Sequence, residues 1–428
     1  MNVRRSTAIL AATAVAVLGT GSAAPVALAD DASPSASPSQ AIPSGLYGST
    51  DPTYDGVWRQ SLALLAQDTV GVKPAAEAVD WLVGQQCGSG AFAAYRSDAS
   101  AKCDAKTPVD TNSTAVAVQA LAALGGHDGE VGRAVRWLRG VQNKDGGWGY
   151  TPGGASDANS TSVVIGAFVA AGDEPGEQKK GEHSPYEALR GLSVPCDEDG
   201  GGAFAFQPDK KGELSANADA TAAGVLGSLG KGFVAKGGEG GEGGEGTSRK
   251  AAECVGGDDL SPGDSAHNGA LYLTKALAKN GYLKSSLAGA EDQPDHGNTA
   301  DAVVALGAAG QEDSAVKPLA WLEKNSGAWA AKAGPAAYAQ LILAAHATGT
   351  DPRDFGGADL VKQLDATGPA AQASSDHSTA PSAKEKSSEE KSEDDDSVFG
   401  VWWIVGVCLV AGIGVGFLIS GRTKKQQP

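Results

Sequence analysis

Positive charge is scarce in this 428-residue chain: 34 Lys and Arg stand against 51 Asp and Glu, a formal net charge of −17. That balance excludes nucleic acid or an anionic bilayer held through a broad basic face. Aromatic residues are also few, at 6%. There are six histidines and no Cys-x-x-Cys pair, so no metal site and no cofactor is expected. The run KGGEGGEGGEGTS lacks the Lys-Ser/Thr of a phosphate loop and the strand-to-helix context that such a loop needs. Paired carboxylates such as Asp258–Asp259 and Asp394–Asp396 fall outside the periodic apolar pattern and give no support to a glycosidase dyad.

The long apolar runs sit at the two ends. Arg4 and Arg5, the apolar stretch Ala8 to Leu18 and the small-x-small site Ala27-Leu28-Ala29 read as a secretory signal over residues 1–29. RRSTAI has no following Phe-Leu, so general secretion is expected rather than twin-arginine export. Val398 to Ile419 carries no charge and is long enough to span a bilayer, which predicts a transmembrane helix over 398–420. Arg422, Lys424 and Lys425 follow in a short tail, 421–428, and the positive-inside rule places that tail in the cytoplasm. No LPxTG-type motif precedes the run, so the expectation is a single-pass cell-membrane protein with everything before the span outside. Residues 30–45 read as a Ser/Pro-rich disordered lead-in, and 366–397 as a disordered acidic stalk.

Of five cysteines, Cys408 lies in the expected span. The other four lie in the exported part, where an oxidising compartment favours disulfides. Three pairings are possible; Cys87–Cys103 with Cys196–Cys254 is favoured because each closes one local loop.

Residues 46–365 repeat. Three stretches share a Trp-Leu pair at Trp81, Trp137 and Trp321, and around Trp137 the apolar spacing is that of an amphipathic outer helix. Gly-rich turns with an aromatic follow, at Phe92, Trp148, Phe204 and Trp329. Second helices are apolar nearly all round and close on a glycine: Ala115–Gly125, Ser162–Gly172, Ala222–Gly230, Asp301–Gly310 and Ala336–Gly349. Leu271–Gly281 reads as another of that set. Helices apolar on every side are buried on every side, so two concentric layers are expected. The Gly/Glu insert, 237–248, reads as a flexible loop on the rim.

The stretch RAVRWLRGVQNKDGGWGY, Arg133 to Tyr150, carries Arg133, Ala134, Trp137, Leu138, Gln142, Gly146 and Trp148 at the spacing of a Gln-Trp repeat. It resembles the repeat of the squalene cyclase and prenyltransferase-β superfamily. The resemblance covers about three quarters of the chain and implies an all-α fold, an α/α toroid of about five to six helical hairpins, in which Gln142 and Trp148 tie an outer helix to the next turn.

In such a toroid the starts of the inner helices line a cavity mouth. Here those starts repeat: VDTNSTA at Asp110, SDANSTS at Asp157, NADATAA at Asn217, DHGNTAD at Asp295 and, more distantly, DSAHNGA at Asp264. Class II terpene cyclases carry D-x-D-D-T at one such start, with the middle Asp as proton donor. Laid on that motif, Asp110 and Thr114 match but Asn112 stands in the acid's place; Asp157, Asn159 and Thr161 repeat the replacement. Asp219 restores a middle Asp between Asn217 and Ala220 and is the one candidate acid. No unit holds the complete constellation. The zinc set of prenyltransferase β-subunits has no counterpart, nor does the GCGEQ segment of complement thioester domains.

Asp, Asn, Ser and Thr are also ordinary helix caps, so Asp110, Asn112, Thr114, Asp157, Asn159, Thr161, Asp219, His267, Asn298 and Asp301 are read either as capping or as a polar ligand mouth. Capping alone does not explain Asp, Asn and Thr recurring together. The inner helices offer few aromatics (Phe168, Tyr272 and Tyr338), which disfavours carbocation chemistry.

The first expectation is therefore a non-catalytic surface toroid that binds or takes up a small molecule or lipid, with a separate surface or transport protein as possible partner. The transcobalamin and intrinsic factor group is more distantly similar in fold and implies a corrinoid-like ligand, although its β-domain is not visible here. The alternatives are a diverged terpenoid cyclase or prenyltransferase acting on a lipid, and a surface protein-interaction module.

Overall fold

The computed structural model describes residues 42–237, 253–257, 259–286 and 289–372. The chain divides into two units, Met1–Ala41 and Ile42–Pro428, and every described residue belongs to the second. The expected signal segment, the transmembrane span and tail, and nearly all of the insert and stalk lie outside the described residues. Among the described residues no helix is long and apolar enough to cross a membrane.

In chain order the helices are α1 (Gly56–Thr69), α2 (Ala76–Gly84), α3 (Thr111–Leu124), α4 (Asp128–Gly140), α5 (Ala158–Ala170), α6 (Pro185–Arg190), α7 (Ala218–Ser228), α8 (Pro262–Ala278), α9 (His296–Ala308), α10 (Glu312–Asn325), α11 (Gly327–Ala333), α12 (Pro335–Ala347) and α13 (Leu360–Asp365). Three two-residue antiparallel pairs join turns to helix starts: β1 (Phe92–Ala93) with β2 (Val109–Asp110), β3 (Phe204–Ala205) with β4 (Ala216–Asn217), and β5 (Leu283–Lys284) with β6 (Pro294–Asp295).

Six helices close a ring. Helix α1 packs on α3, α3 on α5, α5 on α7, α7 on α9, α9 on α12, and α12 returns to α1. These are the helices rich in Ala, Val and Leu; α3 and α5, for example, are buried on all faces over most of their length. Around them α2 packs on α1, α4 on α3, α6 on α5 and α7, α8 on α7, α10 on α9, and α13 on α12. The amphipathic α4 buries only Ala134, Val135 and Leu138 and turns its charges outward. The result is two concentric helical layers, an α/α toroid of six hairpins.

Two expectations are corrected. Leu271–Gly281 belongs mostly to α8, an outer helix whose Lys275, Ala278 and Lys279 are exposed. The sixth inner helix is α1. The segment at Trp329, expected as a turn, is the helix α11.

Four inner helices start with one shared lock. Asp110, Asp157, Asn217 and Asp295 cap them by accepting the backbone N–H of Ser113, Ser160, Ala220 and Asn298, at 2.6, 2.6, 2.9 and 2.9 Å. The threonine one turn inside each cap accepts the backbone N–H of the preceding turn: Phe92 to Thr114 at 2.9 Å, Trp148 to Thr161 at 3.1 Å, Phe204 to Thr221 at 2.9 Å and Leu283 to Thr299 at 3.0 Å. Thr114, Thr221 and Thr299 in turn donate to the carbonyl of their own cap residue. The threonine of the recurring motif is thus a fastener between turn and helix.

The outer layer is tied as the repeat implied. Trp148 Nε1 donates to Leu138 O of α4 at 2.8 Å. Gln142 Nε2 donates to Gly146 O at 2.8 Å and to Gln178 O of the next unit at 2.7 Å. Gln86 repeats this, donating to Gly90 O at 3.0 Å and Glu130 O at 2.8 Å. Gly146 has φ +88°, and a Cβ there would lie 2.4 Å from Ser184 O, so the turn needs glycine for both conformation and contact. Cys87–Cys103 and Cys196–Cys254 are bonded as expected.

Thr161→Val keeps the shape of the side chain but strands the buried N–H of Trp148. The expected loss of stability is about 1–3 kcal/mol, with Thr161→Ser recovering most of it, read as melting temperature or denaturant midpoint.

Candidate functional site

The lock leaves one residue of the motif unexplained. In α3, α5 and α7 the residue between cap and threonine, Asn112, Asn159 and Asp219, points to the ring axis. A cavity of about 90 Å³ lies there, lined from all six inner helices. Below this first layer come Ser162, Val163, Ala222 and Ala223, with Asp301 from α9 and Gln340 from α12. Deeper again are Gln119, Leu226, Val304 and Leu343; α1 adds Leu62 and, from its first turn, Trp58. In α9 the first-layer position is Gly297, which has no side chain, and the carboxyl is supplied one turn later by Asp301.

The polar groups form two hydrogen-bonded pairs. Asn159 Nδ2 donates to Asp219 Oδ2 at 2.8 Å. Gln340 Nε2 lies 3.2 Å from both oxygens of Asp301. Both carboxyls feel the charge of Asp295, whose own oxygens accept from the backbone and side-chain nitrogens of Asn298, each at 2.9 Å. Asn112 and Asn159 are buried, with 3% and 8% of their surface exposed, and the Oδ1 of each has no hydrogen-bond partner.

The far end of the cavity is closed by the chain leaving α7. Lys231, Gly232 and Phe233 line it. The Phe233 N–H donates to Gln119 Oε1 at 3.0 Å, and its ring meets Trp58 edge-on at 5.6 Å. Gly232 sits against Gly166: a Cβ on Gly166 would lie 2.8 Å from Gly232 Cα, and one on Gly232 2.4 Å from Gln119 Oε1. The strand of chain then continues through buried Ala235 to Gly237, whose Cβ would lie 3.0 Å from Ala347 O at the end of α12. Residues 231–237 thus cross the ring as a plug.

Burial sets the proton affinities. It pushes the Asp219 carboxyl up to about 6, against the opposing bond from Asn159 and with the charge of Asp295 adding to the rise. It pushes Asp301 up to about 8, with the neighbouring Asp219 charge reinforcing it and Gln340 opposing it. Asp219 therefore ionises first and its charge holds the proton on Asp301. Burial also raises Asp110 to about 7 and Asp157 to about 6, against the N–H bonds from Ser113 and Ser160.

Of the residues singled out from sequence, Asn112, Asn159, Asp219 and Asp301 meet at the cavity. Asp110 and Asp157 are caps beside it, and Thr114 and Thr161 are fasteners. Asn298 holds Asp295 in the first turn of α9. His267 is corrected: it sits on outer helix α8, with Nε2 3.3 Å from Glu253 O, because Ser261 and Asp264 form a capping box for that helix rather than an inner-helix start. Tyr272 lies on α8 as well. Sequence reading missed Gln119 and Gln340, whose signal was a lone amide in an otherwise apolar helix. It also missed Trp58 and the plug residues Lys231 and Phe233.

The raised carboxyls fix the sign of the pH dependence. Each binds its proton more tightly folded than unfolded, so the stability they allow is full below the ordinary carboxylate range and is lost as pH rises through about 6 to 8. Exposed carboxyls held low, such as Asp98 and Asp104, are ionised in both states above about pH 5 and drop out of that window. The melting temperature should fall between about pH 5 and pH 8.5, and Asp301→Asn should flatten the upper part of the fall.

No family model matches the chain, and no curated protein matches it. Among solved structures it is similar to ent-copalyl diphosphate synthase from Streptomyces platensis, at 14% identity and a TM-score of 0.44 over 69% of this chain and 50% of that one. It is similar to the type II terpene cyclase MstE from Scytonema, at 14% identity and a TM-score of 0.42 over 65% of this chain and 72% of that one. A protein from Actinoplanes is matched at 14% identity and a TM-score of 0.32, over 68% of this chain and 100% of that one. The chain spans half the length of the copalyl diphosphate synthase that it matches.

Proposed function

We propose that this is a membrane-anchored, cell-surface binding protein whose toroid holds a small hydrogen-bonding molecule without transforming it. The observation that carries the reading is the polar arc of Asn112, Asn159, Asp219, Asp301 and Gln340 set above an apolar floor that Phe233 closes. Amides at two of the first-layer positions supply hydrogen bonds but no acidic proton. The two disulfides support an oxidising, external location. At roughly 10–15 Å³ per water, a cavity of about 90 Å³ admits a molecule of fewer than about ten heavy atoms. A corrinoid or a long isoprenoid would enter only if the plug left the ring.

Native mass spectrometry of the full chain, taken in detergent from its own membrane, is the direct test. One bound molecule per chain, below about 200 Da, is expected. A chain that is empty and monomeric overturns the reading.

A second reading has one observation in its favour: Asp219 and Asp301 both keep protons close to neutral pH. Asp219 would then be a general acid in a diverged terpenoid cyclase. That reading requires cyclised product from a linear prenyl diphosphate and its loss in Asp219→Asn; turnover unchanged in the variant removes it.

A further inference from the structure

We infer that the small molecule held at the axis is uncharged and is recognised by its carbonyl oxygen, as a short-chain primary carboxamide; the inference rests on the binding reading above. Two side chains carry it. Asn112 and Ser162 line the cavity, with 3% and 5% of their surface exposed, and neither side chain has a hydrogen-bond partner. Asn112 Oδ1 is shut away from the cavity, which leaves the amide nitrogen as the polar atom facing it.

The other polar groups of the wall are satisfied by protein. Asn159 Nδ2 donates to Asp219, Gln340 Nε2 to Asp301, and both ends of the Gln119 amide are engaged, by Val163 O and the Phe233 N–H. Burying an amide and a hydroxyl without such partners opposes folding. Nothing in the fold requires either group. The cap of α3 is Asp110 and its fastener is Thr114, so Asn112 is neither. Helix α7 crosses closely at Ser162, where a Cβ on Gly227 would lie 2.5 Å from Ser162 Oγ. That crossing needs a small side chain, and alanine would serve it as well.

Both stranded groups have protons to give, so the ligand must supply an acceptor. One carbonyl oxygen has two lone pairs. An ammonium ion has none and would leave both donors stranded. A carboxylate has acceptors but would share the cavity with the Asp219 carboxyl. The opposite side of the inventory separates a carboxamide from a ketone or an ester. Asp219 Oδ2 is taken by Asn159 and the Gln340 nitrogen by Asp301, while the other oxygen of Asp219 and Gln340 Oε1 receive no bond from the described residues. A primary carboxamide brings two N–H donors for those two acceptors beside its one carbonyl oxygen. Deeper in the cavity the wall turns to Leu62, Leu226, Val304 and Leu343, which suits a tail of a few carbons.

The probe is butyramide, titrated calorimetrically into the full chain beside 2-pentanone, butyrate and n-butylammonium. Butyramide should bind about tenfold more tightly than the ketone, and the two ions more weakly still. Asn112→Leu keeps the size of the side chain and removes the donor. It should weaken butyramide about tenfold and leave the melting temperature unchanged or raised, because the amide it replaces has no protein partner. Ser162→Ala should behave in the same way, and it carries the test should Asn112→Leu not fold. A lowered melting temperature with binding retained assigns these side chains to the fold and overturns the inference. Any of the three comparison compounds binding as tightly as butyramide overturns the carboxamide while leaving a binding toroid standing. No binding of any probe, with a mass spectrum of empty chain, overturns both.

Discussion

An inner helix of this toroid has no face to give to water. It is enclosed by two ring neighbours, an outer helix and the axis, so every polar group on it must find a protein partner or open on the central cavity. This constraint explains the composition of the inner helices and the economy of their polar residues. At each helix start the free backbone N–H groups would be the first violation, and the Asp or Asn cap removes it. The buried turn that precedes the helix would be the second, and the threonine removes that. Once caps and fasteners are subtracted, the remaining polar side chains on the inner faces are few and converge on one place.

Much of this was legible as pattern. Alternation of amphipathic and all-apolar helices gave the two layers, and the recurrence of Asp, Asn and Thr at fixed spacing marked the helix starts. What the pattern did not reveal was the division of labour within the motif, because Asp110, Asn112 and Thr114 are equally plausible caps until the partner of each is known. Helix α1 escaped for a related reason. Arg59, Gln60 and Gln67 make it look half polar, yet all three are buried. Two tie down the chain around the first hairpin and one closes the ring: Arg59 holds Asp55 at 3.1 Å and Thr50 at 2.9 Å, Gln60 takes the Tyr47 N–H and donates to Gly45 O and Ala78 O, and Gln67 reaches Asp365 Oδ1 of α13 at 2.6 Å. The helix where first and last hairpins meet must carry such ties, and they disguise its inner position.

The plug was equally hidden, since GKGFVAKGG reads as the lead into a Gly/Glu-rich insert. Its placement follows from fit. Only a glycine at 232 passes between Gln119 and Gly166, and Gln119 is held to its task by donating Nε2 to Val163 O at 3.1 Å while its Oε1 accepts the Phe233 N–H. The amide therefore joins α3 to α5 and to the crossing chain at once. An apolar residue at that position would leave a buried backbone N–H unsatisfied at the centre of the ring.

Plug and helix starts together bound the central cavity. With residues 231–237 across the ring the space is short, with the acidic arc toward the helix starts and Gln119 and Lys231 at the plug. The same chain that supplies the plug is covalently bounded, because Cys196 before α7 is bonded to Cys254 after the insert. The segment carrying α7, the plug and the insert is thereby a covalently closed loop. Tight packing at the floor and carboxyls at the mouth are thus separate features of two ends of one cavity. The first rests on packing that cannot relax without moving the backbone; the second rests on carboxyls whose mutual repulsion a proton relieves.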